Sequence, residues 1–220
     1  FLLVSSFCFS APSNSAKTIE TWVYYELLRI EEKESQKRYE EVEEDYRELI
    51  YESGWSSRSF DHAVILKKYG FFLIQRDRAE EGLEYIEWAL RKRALEDRDA
   101  HNLEYVVGQI NASFGNYEKA LKKLLAWYDL GERRNWDLTP KGIALIGICY
   151  AQLENFKPAL EYISIAIEQS NIFIKSWHEL KFALHYKLGE FDNALDTSKS
   201  LVAFYPQEKK YLEQMGAMYS

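Results

Sequence analysis

Four pairs of residues stand 12 positions apart in this chain: Gly70 with Gly82, Gly108 with Ala120, Gly147 with Ala159, and Phe182 with Ala194. Successive pairs follow one another at 38, 39 and 35 residues. Self-similarity at a period of roughly 20–50 residues means stacked units, none of which can bury its apolar face alone, rather than one globular core. A stack of this kind works by presenting a surface.

Each unit reads as two helices. Apolar residues recur three and four apart, as in Leu66, Tyr69 and Leu73, then Leu83, Ile86 and Leu90. Short polar breaks separate the two runs at 75–78, 115–116, 154–155 and 189–190. A small residue in each helix lets the two backbones approach closely. Aromatic pairs beside the breaks are expected to plug the neighbouring unit: Phe114 and Tyr117, Tyr150 and Phe156, Tyr186 and Phe191. Pro206 follows a helix end, since a residue without an N–H cannot extend the ladder.

These residues resemble the tetratricopeptide repeat. One unit offers Ile143, Ile146-Gly147, Tyr150, Ala159, Ile163 and Ala166, with Asn171 in the family's proline slot. Earlier units offer Val107-Gly108, Ala120 and Leu124, and Tyr69-Gly70, Gly82, Ile86 and Ala89. The unit ending at Pro206 departs from the pattern, with Phe182 in the glycine slot and Trp177 one place early. The resemblance implies an all-α, right-handed superhelix, an α-solenoid of antiparallel helix pairs. The units lie near 63–96, 101–134, 140–173 and 175–208 within an array over 60–220, and a truncated unit begins at 209.

The flanks read less directly. Residues 17–59 form an acidic helical segment, a divergent first repeat, with Tyr39, Val42, Tyr46 and Leu49 at helical spacing and Val42 in the alanine slot. Tyr211-Leu212, Met215-Gly216 and Tyr219 look like the opening helix of another repeat. No second helix follows to cover it, so the sequence is expected to be a piece of a longer protein. Residues 1–16 carry no charge and run from Phe1-Leu2-Leu3-Val4 through Phe7-Cys8-Phe9 into small residues. This reads as the remnant of a secretory signal peptide, with cleavage after Ser10 or after Ala16; the other reading is a disordered apolar tail. Cys8 would leave with the signal, and Phe7 is a poor neighbour for a lipid anchor there.

The net charge of −7 is unevenly placed. Residues 17–52 hold 12 acidic and 6 basic side chains, while 53–220 hold 23 and 22, so the charge is assigned to one long acidic helix. The run Glu40-Glu41-Val42-Glu43-Glu44-Asp45 reads as a solvated face, or else as a docking strip for a basic partner. A balance of this sign argues against nucleic acid, which calls for a basic stripe. With 47% hydrophobic and 15% aromatic residues the chain can build an ordered core.

No catalytic constellation emerges, and neither an enzyme nor a cofactor is expected. His178 and His185 lie seven apart on one helix, too far to share a metal without a third ligand, and are expected at a surface or groove. Asn111-Ala112-Ser113 matches a glycosylation sequon but falls inside a helix. Arg91-Lys92-Arg93 suits the negative end of a helix dipole. Cys149 is expected to be a buried, inert thiol. Trp88 and Trp127 suit packing between helices, whereas Trp22, Trp55 and Trp136 fall near breaks.

Tetratricopeptide arrays hold peptides or partner helices on the inner face of each first helix. Carried onto this sequence, that face presents Lys67, Phe71 and Gln75, then Tyr105, Gln109 and Ser113, then Ala144, Ile148 and Gln152, then Glu179, Ala183 and Lys187. The set lacks the paired Lys and Asn that hold a C-terminal carboxylate in some members, so capture of a chain end is not expected. The stretches Trp136–Tyr150 and Leu201–Tyr219 are similar to exported tetratricopeptide proteins encoded with the TonB, ExbB and ExbD systems of Gram-negative bacteria. That resemblance implies a periplasmic scaffold that touches the TonB complex. Two other readings stay open: a targeting arm for a catalytic domain further along the protein, and a module that binds envelope peptides or glycans.

Overall fold

The computed structural model describes residues 17–54 and 60–218. Among them are eleven α-helices and no strand. The helices pair in chain order: α1 (Thr21–Ser35) with α2 (Tyr39–Glu52), α3 (Phe60–Ile74) with α4 (Ala79–Lys92), α5 (Asp97–Ser113) with α6 (Tyr117–Arg134). Next come α7 (Pro140–Gln152) with α8 (Phe156–Gln169), and α9 (Lys175–Lys187) with α10 (Phe191–Phe204). The last helix, α11 (Lys209–Met218), packs on α10. Each helix packs mainly on the helices before and after it, which makes an all-α solenoid.

The period is written into the backbone at the turns. Lys37, Asp77, Gly115, Glu154 and Gly189 all take left-handed conformations, with φ of 61°, 59°, 76°, 58° and 75°. After each, a backbone N–H reaches back to a carbonyl in the last turn of the preceding helix: Arg38 to Lys33, Arg78 to Leu73, Asn116 to Asn111, Asn155 to Tyr150, Glu190 to His185. These bonds span 2.9–3.0 Å and close the helix ends in one recurring cap.

Small residues then decide how closely each pair packs. A Cβ placed on Gly82 would lie 2.5 Å from the carbonyl oxygen of Gly70, and one on Gly108 would lie 2.6 Å from Cγ of Leu124. The pairs α3–α4, α5–α6 and α7–α8 therefore share their most extensive contacts. The pairs α1–α2 and α9–α10, with Ile30 and Phe182 at the sequence positions that glycine holds in the other units, pack over less surface. Two apolar clusters fill the interior. One runs from Val23 through Tyr46, Tyr69 and Ile86 to Val107, the other from Ala120 through Trp127 and Ile163 to Leu184.

Some expectations need correction, and others match the structure. The acidic segment is two helices, not one, because Lys37 takes the left-handed turn that glycine fills in other units. Phe114, Tyr186 and Phe191 are exposed rather than plugged into a neighbour, since they flank turns that carry the chain out to solvent. His185 is buried, its Nδ1 2.7 Å from Glu190, and with His178 it lines a groove between α9 and α10, as expected. Cys149 is buried, and burial pushes its thiol up to about 11. Asn111 is also buried and donates from Nδ2 to the Val107 carbonyl at 2.9 Å. Trp127 is buried, and Trp88 is half-buried, edge-on to Tyr85. The signal reading of 1–16, Cys8, Trp55 and Tyr219 lie outside the described residues. No described helix is long and apolar enough to cross a membrane.

Candidate functional site

The first helix of each pair is tied to the first helix of the next by ion pairs at three seams. Glu31 of α1 meets Lys68 of α3 at 2.6 Å, and Lys67 of α3 meets Asp99 of α5. Towards the other end, Glu179 of α9 meets Lys210 of α11 at 2.5 Å and Lys175 meets Glu208. Among the described residues no ion pair joins α5 to α7 or α7 to α9. At that gap the inner surface opens into a groove of about 500 Å3.

Helical spacing of three or four residues builds its walls. From α5 come Tyr105, Gln109, Ala112 and Ser113, and Tyr117 closes one end from the start of α6. From α7 come Ala144, Leu145 and Ile148. Ile174 and the buried Trp177, at the entry to α9, complete the apolar lining. Tyr105 is half-buried with its ring 5.1 Å from Trp127 of its own pair, so the position of that wall is set by the core behind it. Trp127 in turn stands against His101 at 5.8 Å. A single charged side chain, exposed Lys141, stands at the rim. It lies in the first turn of α7, whose N-cap Thr139 accepts a bond from the Gly142 N–H at 3.2 Å.

The groove gathers Tyr105, Gln109, Ser113, Ala144 and Ile148 from the inner-face set. It does not gather the others. Lys67 is engaged by Asp99. Glu179 accepts from Lys210 and, at 2.7 Å, from the Tyr211 hydroxyl, and these bonds hold its carboxyl below the usual range. Phe71 packs half-buried on the first core. Gln75, Gln152, Ala183 and Lys187 are exposed and apart from the groove. Sequence reasoning missed Ala112, Tyr117, Lys141, Leu145, Ile174 and Trp177. The signal for Trp177 was its off-register position, which places it at the mouth of a helix facing the preceding unit.

A second, polar cleft of about 370 Å3 lies between α9 and α10, lined by His178, Lys181, His185, Asp196, Thr197 and Ser200 among others. His178 stacks on Phe173 at 3.8 Å, and burial, with Lys181 nearby, keeps it below its ordinary pKa. Among the described residues no three metal-ligating side chains converge, here or elsewhere. The inner groove holds neither carboxylate nor histidine among its lining residues. What it offers is apolar area, two tyrosines, amide and hydroxyl groups, and one cation.

No model of a known protein family and no curated protein sequence matches the chain. Solved structures do. YrrB, a tetratricopeptide-repeat protein with an unusual peptide-binding site, superposes with a TM-score of 0.60 at 18% identity, over 79% of this chain and 81% of its own. MamA of Desulfovibrio magneticus RS-1 gives 0.62 at 12% identity, over 87% and 99%. PilF of Pseudomonas aeruginosa gives 0.53 at 17% identity, over 89% and 80%. Likeness at these identities establishes the fold: a tetratricopeptide-type α-solenoid.

Proposed function

We propose that this chain is a non-enzymatic scaffold that holds a peptide segment of another protein in the groove between α5, α7 and α9. The observation that carries the reading is an apolar, carboxylate-free groove at the stretch of inner surface that lacks cross-seam ion pairs. Peptide binding by YrrB, a structural neighbour, supports it. The periplasmic location and a TonB-system partner belong to the same proposal. They are supported by the uncharged residues 1–16 and by the sequence similarity around Trp136–Tyr150 and Leu201–Tyr219.

The test pairs Tyr105→Ala with Gln109→Ala, one turn apart on α5. Truncating an aromatic anchor in an interface typically costs about 2 kcal/mol or more. Crosslinking pulldowns from envelope extract should recover TonB-system proteins with the wild type and lose them with the double variant, while the helical spectrum persists. Absence of those proteins from the wild-type sample would refute the partner assignment. Equal recovery by both proteins would refute the groove.

A further inference from the structure

Building on that groove reading, we propose that Lys141 and the N-terminus of α7 select a segment carrying an acidic side chain beside its apolar anchor. The incoming acid supplies the cross-seam ion pair that the other inner seams make internally.

Three observations converge. Lys141 is exposed, is the single charged residue lining the groove, and has no ion-pair partner among the described residues. The lysines at the flanking seams do: Lys68 with Glu31, Lys67 with Asp99, Lys175 with Glu208, and Lys210 with Glu179. The third concerns the helix beneath it. The first turns of α2–α6 and α10 carry an acid, which offsets the positive end of the helix dipole, and those of α1, α7, α8, α9 and α11 do not; of these, α7 is the helix whose first turn lines the groove with a charged side chain. In α7 that turn has no acid and holds a lysine instead, so two positive contributions meet at the groove rim. A cation there is unfavourable for the helix by itself and becomes favourable when an anion docks. The whole chain is acidic, at −7, but its acidic excess sits in residues 17–52. At physiological salt, charges more than about 8 Å away are largely screened, so the local cation decides.

The probe is a random peptide library displayed on phage, each peptide fused through its C-terminus, panned on the immobilised full chain. Pools retained equally by the Tyr105→Ala/Gln109→Ala variant are discarded. The wild type should enrich peptides with Asp or Glu next to an aliphatic or aromatic residue. Lys141→Gln should enrich the apolar element without the acid, and Lys141→Glu should enrich Lys or Arg in its place. Lys141 is exposed, so both variants should keep the wild-type helical spectrum. Synthetic amidated peptides from the wild-type pool should lose about 3–10-fold in affinity on Glu→Gln exchange, and less in high salt. Apolar peptides without acidic preference would overturn the selectivity and leave the groove standing. No enrichment at all would overturn both. A free C-terminal carboxylate that replaces the side-chain acid without loss would overturn the internal-segment assignment.

Discussion

At Gly82 a single added methyl group would meet the Gly70 carbonyl oxygen at 2.5 Å and Cγ1 of Ile74 at 2.8 Å. The obstacle at 2.5 Å is backbone, which cannot swing aside as a side chain can. Gly82→Ala should therefore force α3 and α4 apart and cost roughly 1–3 kcal/mol, read as a fall in thermal midpoint. His101 sets a second residue-scale limit. Its Nε2 lies 3.0 Å from the Trp127 carbonyl oxygen, which can only accept, so Nε2 carries the proton and buried Nδ1 stays bare. Burial holds this histidine below its ordinary value of 6.5. The folded state thus takes up a proton less readily than the unfolded one. Stability is full above about pH 6.5 and falls as pH drops through and below that value. His101→Gln keeps a donor for the carbonyl and has nothing to titrate, so its thermal midpoint should fall less between about pH 7.5 and 5.5. Part of the slope should remain, since burial also lowers His62 and His178. Glu43 and Glu179, held low by Arg78 and Lys210, lose stability in the same direction but below 4.5, a separate window. The small residues were legible in sequence because close packing leaves few alternatives to glycine and alanine. Lys141 was not, since one exposed lysine looks like any other until its neighbours are placed.

Among the elements, α2 carries its charge in two ways. Glu41, Glu43 and Asp45 face Arg38, Arg47, Arg78 and Lys33 and are paired. Glu40, Glu44, Glu48 and Glu52 stand four apart along the helix, all exposed and without an ion-pair partner among the described residues. Like charges at that spacing cost a helix about 0.2–0.5 kcal/mol per pair. Glu44→Gln relieves two such contacts at once. It should raise the thermal midpoint slightly in low salt, and the gain should vanish in high salt. Helix boundaries in the repeats were legible where Gly115 and Gly189 mark the left-handed turn. They were hidden where Lys37 takes the same conformation, because nothing in the local composition announces a break there. That is why one acidic helix was expected where two exist.

For the whole molecule, stability should be graded along the stack. The central pairs bury glycine- and alanine-lined seams, whereas α9 and α10 pack over less surface beside a polar cleft. The second core cluster ends at Leu184. Hydrogen exchange should therefore show the amides of α9–α11 opening well before those of α3–α8; uniform protection along the chain would contradict this. The solenoid itself was readable from the period alone, since each unit repeats the same offsets. The groove was only half readable: helical spacing put Tyr105, Gln109 and Ile148 on the inner face, but Ile174 and Trp177 reach it from the following unit. Which seams would carry ion pairs depends on residues some 30 positions apart, such as Lys67 and Asp99.

Contacts between sequence neighbours also have a mechanical side. Tension applied at the two ends passes through every seam in series, so the weakest seam yields while the others hold. Extension then comes one unit at a time, 35–39 residues across the repeats, or roughly 115–140 Å of chain at about 3.3–3.6 Å per residue. Such a molecule lengthens in steps under load, and the central pairs can stay folded while the ends give.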